Sequence, residues 1–537
     1  MGIPSYFSHI VKSHRRIIKQ FNNFIKVNNL YLDCNSIIYD VVNNLDLSKI
    51  NHDEIDEFIL NEVCKSISNY ISLINPNNKV FIAFDGVAPV AKLEQQRNRR
   101  YKSWFQNEIM KKIKNTSSKW DTTRITPGTV FMKKLNKFIK NYFLNSEIFG
   151  VQQIIVSGSD DPGEGEHKIY GYIRDNSDYH KNTTTVIYGL DADLIMLTLN
   201  HLHISKKLYL FRETPHFIKT IDKSLNPNEL YVIDIPKMEE EILNNMMENN
   251  NSHLCNLTDI QKNNKVFDYI FICFMLGNDF LPHFPSMNIR TNGIDILINT
   301  YKSIFNNNND FLTNGRSIVW KNLRKYLSHL ANNELENLKR EMSIRDKWEK
   351  KYIGNNNGMS NELEESFLLL PTKNREIEKY ISPGEDGWEN RYYKMLFNVD
   401  IDDDRKSQIC NNYLEGIEWT LKYYTTGCPD WKWCYQYHYA PLLNDLLSYT
   451  PYFNVELINS DKNNMEPVSE YTQLCYVLPR NSLHYLPSDI HKKLLEKYDY
   501  LYGTDYSFTW AFCKYFWESH VNLPHIDIKN IELLVNS

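Results

Sequence analysis

Residues 157–197 read SGSDDPGEGEHKIYGYIRDNSDYHKNTTTVIYGLDADLIML, and this stretch organises the rest of the chain. A polar turn, Ser157 to Gly165, is built around Pro162, Gly163 and Gly165 and opens into the helical pattern HKIYGYIR. Glu164 and Glu166 flank its last glycine. After a polar loop, the apolar run TTVIYGL reads as a strand and empties into Asp191-Ala192-Asp193. Four carboxylates therefore stand at the start of one helix and the end of one strand. Carboxylates at that density repel one another unless a proton or a cation lies among them, and neither motif holds a lysine or arginine that would neutralise it. Hard divalent cations with oxygen ligands, Mg²⁺ or Mn²⁺, are the expected answer. A solvated acidic turn or a helix-capping aspartate explains either motif alone; the two together favour a metal.

Working outward, the same pattern recurs. Asn29 to Cys34 (NLYLDC) is a buried strand delivering Asp33, and Val80 to Phe84 runs into Asp85. Gln153 to Val156 leads to the Ser157 turn and Thr184 to Leu190 to Asp191 and Asp193; Lys207–Phe211 and Val232–Ile235 add shorter runs. Strands alternating with helical segments predict an α/β fold with a largely parallel sheet flanked by helices. In such open sheets ligands bind beyond the carboxyl ends of the strands, where these acids fall. The helical run 266–276 ends at Gly277, and Asp279 follows in apolar surroundings, where a carboxylate needs a partner or a metal.

Between the second and third strands lies AKLEQQRNRRYKSWFQNEIMKKIKN, long, basic and helical. Lys92, Gln96, Arg99 and Arg100 fall at i, i+4, i+7 and i+8 and share one face. A lysine with guanidinium forks on one face suits a phosphate; a solvated amphipathic helix is the plainer alternative. In RITPGTVFM (124–132), Thr126 is the expected helix N-cap with Pro127 at the first helical position.

The chain has 537 residues and a formal net charge of −5, so any binding to polyanions must come from local patches. No apolar run reaches membrane-span length, and no signal core opens the chain. Nine cysteines without a CxxC pair fit a reducing, intracellular compartment, cytoplasmic or nuclear. Domains are expected over residues 1–300, 301–386 (a charged helical connector with Asn/Gly-rich breaks such as GNNNGMSNE) and 387–537, an aromatic-rich α+β region packed on the first. In that last region Trp431, Trp433, Tyr435, Tyr437 and Tyr439 alternate at period two, a stripe that reads as core before it reads as a platform for nucleobases.

The blocks DCNSIIYD, FDGVAPVAKLEQQRNRR, ITPGTVFM, DPGEGEHKI, YGLDADLIML and LGNDFLPHFPS closely resemble, in order, those of the Xrn family of 5′→3′ exoribonucleases. GWENRYY through WKWCYQYHYAP to VLP is similar to that family's second region. The resemblance implies that Asp33, Asp85, Glu164, Glu166, Asp191, Asp193 and Asp279 form a catalytic, metal-binding acidic cluster, holding two Mg²⁺ or Mn²⁺ ions. It implies that Lys92, Gln96, Arg99 and Arg100 receive a 5′-monophosphate, and that terminal bases stack between the first motif and Trp431 or Trp433. Tyr39 stands where the family usually has histidine; it can stack but cannot shuttle a proton near neutral pH. The implied activity is processive, metal-dependent 5′→3′ hydrolysis of single-stranded 5′-monophosphorylated RNA to nucleoside 5′-monophosphates, by a monomer with no membrane association. A structure-selective nuclease on DNA flaps and a catalytically silent RNA-binding scaffold are the alternatives.

Overall fold

A computed structural model describes residues 3, 5–21, 26–46, 50–114, 120–189, 191–212, 225–226, 229–247, 257–305, 310–353, 361–458 and 464–537. Seven strands form one sheet: β1 (Ile18–Gln20), β2 (Asn29–Asp33), β3 (Lys79–Ala83), β4 (Gln153–Ser157), β5 (Thr185–Tyr188), β6 (Leu208–Arg212) and β7 (Tyr231–Asp234), in the order β1-β7-β6-β5-β2-β3-β4. The five strands from β6 to β4 are parallel, while β7 and β1 add an antiparallel edge. Every strand expected from an apolar run is present. The short, half-exposed β1 gives no such signal.

Side-chain alternation divides the core. Tyr31, Phe81 and Ile187 face one hydrophobic layer. Leu30, Leu32, Val80, Ile82, Val186 and Tyr188 face the other. Covering both faces is what a parallel sheet requires. The first layer continues without a break into Trp320, Tyr326, Tyr413, Trp419 and Tyr424, so the later helices pack on the sheet domain. A further cluster clamps the start of the basic helix, joining Val87, Val90 and Leu93 to Leu474, Tyr476 and Leu478.

From β2 the chain steps to β3 and β4 on one side, then returns to place β5 on the other side of β2. This reversal leaves a crevice at the carboxyl ends of β2 and β5, the usual ligand position in open α/β sheets.

One expectation is corrected. The helix after ITPGT begins at Val130, not at Pro127, and Thr129 is its N-cap, its side chain accepting from Met132 N. Gly128 has φ +92°, so residues 126–129 turn before the helix can start, and Thr126 Oγ1 donates instead to Thr123 O at 2.6 Å. The backbone of the aromatic stripe 431–439 is irregular, with Tyr435 and Tyr439 buried and the intervening rings half-buried. Most of GNNNGMSNE lies outside the described residues. Among the described residues no helix is long and apolar enough to cross a membrane.

Candidate active site

Asp33 closes β2 and borders the crevice beside the ends of β3 and β5. Asp85 follows β3 by two residues and is fixed on three sides. Asn35 Nδ2 donates to Asp85 Oδ2 at 2.7 Å, Asp85 N returns a bond to Asn35 Oδ1 at 3.0 Å, and Gly165 N donates to Asp85 Oδ1 at 2.7 Å. The last bond joins the segment after β3 to the turn that carries Glu164 and Glu166. It also explains Gly165: an added Cβ there would lie 2.6 Å from Asp33 Oδ1.

Glu164 is the N-cap residue of the helix Gly165–Asp175 and Glu166 lies in its first turn, where the helix dipole favours negative charge. Both are buried, as is Asp193 at the start of the helix Asp193–Asn200. Asp191 is exposed at the rim. Asp279 arrives from the other direction. Gly277 (φ +85°) ends the buried run, and Asn278 Oδ1 accepts from Phe280 N and Leu281 N, both at 2.9 Å, shaping the turn that presents the aspartate.

One cation already stands among these acids. Lys92 Nζ pairs with Glu164 Oε2 and donates to Asp279 Oδ2 at 2.7 Å. The neutralising charge that both acidic motifs lack therefore comes from the basic helix, Val90–Lys114. Burial alone would lower the lysine's pKa, but Asp279, Glu164, Glu166 and Asp193 together hold it well above its ordinary range. In turn, Lys92 overcomes the effect of burial on Asp279 and keeps that carboxyl below the usual range.

The remaining acids are under-compensated. Burial first, then the charges of Asp85 and Asp191, push the Asp33 carboxyl well up; burial and Asp193 do the same to Glu166. Asp193 is raised to about 7, chiefly by burial and then by Asp279. Among the described residues, the buried oxygens Asp33 Oδ1, Glu166 Oε2 and Asp193 Oδ1 have no hydrogen-bond partner. Unpartnered carboxylate oxygens in a crevice suit a hard divalent cation. Ligand atoms of Glu164, Glu166 and His167 also lie within 4.8 Å of one another, a group that could hold a metal ion.

His167 escaped sequence reading. It sits one residue beyond the motif's second glutamate, and its ring lies on that of Tyr423, with centroids 3.8 Å apart. Tyr423, on the helix Asp403–Thr425, donates its hydroxyl to Glu164 Oε1 at 2.8 Å. Nothing local in either sequence segment announces a contact between residues 259 positions apart.

Along the basic helix, Lys92 and Gln96 are buried and Arg99 and Arg100 half-buried, so this face is not a solvated one. Gln96 Oε1 and Arg100 Nε have no hydrogen-bond partner among the described residues. Burial lowers the Arg100 guanidinium to about 10, against the raising influence of Tyr39. The helix start is anchored by the second aromatic block, where Val90 N donates to Trp431 O at 2.8 Å and Ala88 N to Gln473 Oε1 at 3.0 Å. Trp433 stacks on Trp419 (5.4 Å, 24°) and donates Nε1 to Glu415 at 3.2 Å, so its ring is committed to the core. The half-buried Trp431 ring makes no ring–ring contact among the described residues.

Comparison with known proteins agrees with this geometry. A family model described as the XRN 5′-3′ exonuclease N-terminus matches residues 1–214, and one for the Xrn1 helical domain matches 259–379 and 369–535. The chain is similar to the human protein named 5′-3′ exoribonuclease 1, 29% identical over 99% of this chain and 34% of that protein. It is similar to 5′-3′ exoribonuclease 2 of Gallus gallus, 26% identical over 99% of this chain and 69% of that one. To 5′-3′ exoribonuclease 1 of Saccharomyces cerevisiae it is 27% identical, over 91% and 40% of the two chains. The chain thus spans about a third of the human relative's length. With both family models matched in order across most of the sequence, and the acids of the first brought together at the sheet's reversal point, the chain belongs to the Xrn 5′-3′ exonuclease family.

Proposed function

We propose that this chain is a divalent-metal-dependent 5′→3′ exoribonuclease that takes single-stranded RNA with a 5′-monophosphate and releases nucleoside 5′-monophosphates. The observation that carries this reading is the bridge made by Lys92. The helix that begins at the acid cluster also bears Gln96, Arg99 and Arg100, so an anion on that helix and the acids belong to one rigid structure.

Asp33, Asp85, Glu164, Glu166, Asp191, Asp193 and Asp279 would hold the metal. Mg²⁺ or Mn²⁺, when bound there, activates water and neutralises charge developing on the phosphodiester. Tyr423 orients Glu164 through its hydroxyl, and Asn35 with Gly165 N orients Asp85. Gln96, Arg99 and Arg100 would grip the 5′-phosphate, with Arg100 Nε, which has no hydrogen-bond partner among the described residues, as one donor to it. Tyr39 and Trp431 would stack on the terminal bases. A phosphate fixed at a set distance from the acids gives polarity and one-nucleotide steps, and it leaves no room for a cap or triphosphate.

A DNA-flap nuclease would use the same acids. The direct contribution of the second aromatic block to the site, through Tyr423 and Trp431, favours the exoribonuclease. The test compares a linear 5′-monophosphorylated RNA labelled at its 3′ end, the same RNA circularised, and a DNA flap. Mononucleotides from the linear RNA alone support the reading. Cutting of the circle or preference for the flap overturns it, and binding without cleavage identifies a scaffold.

A further inference from the structure

Beyond Asp279, on the opposite flank of the basic helix from Gln96 and Arg100, lies a cavity of about 460 Å³. It is lined by that helix, the turn around residues 276–290 and the segment 511–520. Its size is that of a site for a small organic ligand. Three acids reach it, and each is already engaged: Glu94 accepts from the Tyr476 hydroxyl at 2.7 Å, Asp279 from Lys92, and Glu518 pairs with Arg290 at 2.5 Å. Two cations one helical turn apart, Arg99 and Lys102, have no carboxylate partner among the described residues. Lys102 Nζ donates only to the carbonyls of Trp517 and Ser519, at 2.8 and 2.7 Å. Cations and acids on the lining are equal in number, but Arg99 and Lys102 form no ion pair among the described residues and stay available to an anion.

Its walls are otherwise aromatic and polar. Tyr437 and Trp517 line it, as does the stacked pair His438–His520, with centroids 5.0 Å apart at 17°. The buried atoms Gln95 Oε1, Asn98 Oδ1, Asn278 Nδ2 and His283 Nε2 all belong to lining residues and have no hydrogen-bond partner among the described residues. Buried polar groups are normally satisfied, so four on one cavity point to a polar ligand. The far wall is held in a strained form. Phe512 adopts φ +62°, its N–H donating to Glu378 Oε1 at 2.7 Å, while Arg345 bonds Glu378 and the Cys513 carbonyl. Such strain persists only where surrounding contacts impose it.

We propose that this cavity binds a nucleoside 5′-monophosphate, the phosphate between Arg99 and Lys102 and the base against the aromatic wall. It would receive the mononucleotide product across Asp279, with Arg99 shared between the two flanks of the helix. This rests on the exoribonuclease reading above, because that reaction supplies the ligand.

The test uses the full chain, EDTA and no RNA, so no turnover intervenes. Photolabelling with 8-azidoadenosine 5′-monophosphate is expected to mark peptides containing Tyr437–Tyr439 or Trp517–His520. Labelling of these peptides is expected to fall about tenfold in Lys102→Met and to stay unchanged in Lys111→Met, a solvated lysine farther along the same helix. Label confined to Tyr39 or Trp431, no labelling, or labelling that survives in Lys102→Met overturns the proposal. If Lys102→Met fails to fold, the wild-type label decides. None of these results bears on the exonuclease reading, which stands or falls on mononucleotide release from RNA.

Discussion

Lys92 Nζ lies 2.7 Å from Asp279 Oδ2, closing a contact across 187 residues of sequence, and the same ammonium pairs with Glu164. One buried lysine thereby ties the basic helix to two of the seven acids. Removing one partner of a buried ion pair leaves the other charges unpaired, a loss of about 3–5 kcal/mol. Lys92→Met is accordingly expected to unfold at lower urea concentration, and added Mg²⁺ is expected to restore more stability to it than to wild type. Equal Mg²⁺ responses would show that the lysine and the metal do not answer to the same acids.

Gly165 is the tightest point of the acid cluster. An alanine there would push its Cβ to 2.6 Å from Asp33 Oδ1, so the aspartate must move. A displacement of that kind at a reacting centre costs about 10²-fold in rate. Gly165→Ala is expected to keep its far-ultraviolet circular dichroism and to lose RNA hydrolysis on that scale; unchanged turnover would remove Asp33 from the reacting set.

The Tyr423 hydroxyl reaches Glu164 Oε1 at 2.8 Å in a fully buried setting. Tyr423→Phe keeps the ring on His167 and deletes one bond to a charged acceptor, worth about 1.5–3 kcal/mol. Lower stability together with weaker Mn²⁺ binding, read by calorimetry, is the expected outcome. A stability loss with unchanged Mn²⁺ affinity would make the bond purely structural.

Glu334 supplies a pH dependence away from the acids. Its carboxylate accepts Leu443 N on both oxygens at 2.9 Å, and burial raises it to about 8. In the unfolded chain a glutamate ionises near about 4.3. Between those values the folded protein holds a proton that the unfolded chain has lost, so stability falls as pH rises through this window. Glu334→Gln is expected to flatten that fall in thermal unfolding between pH 5 and 8, values that bracket about three units of the window. Parallel profiles for the two proteins would contradict it.

The parts of this architecture written locally were legible in the chain. Apolar runs such as NLYL and VFIAF each lead directly into an acid, because a parallel strand must be apolar throughout and its carboxyl end opens on the crevice. What depends on distant neighbours was not. The Lys92 ion pairs, the Tyr423 bond to Glu164 and the His167 stack join segments separated by the whole fold. Strands as short as Ile18–Gln20, or the hairpin pairing Ser507–Thr509 with His520–Asn522, carry too few residues for a period to show. Thr126 misled for a nearer reason: Thr129, three residues on, offers the same cap chemistry, and only the left-handed turn at Gly128 selects between them.

The most direct measurement pairs two RNAs identical except for a 5′-monophosphate or a 5′-triphosphate, each labelled at the 3′ end, with wild type and Asp193→Ala in Mg²⁺. Stepwise mononucleotide release from the monophosphate RNA alone, abolished by Asp193→Ala, is the result expected if the acids and the basic helix work as one end-recognising unit. Equal degradation of both RNAs, or activity that survives the substitution, would contradict it.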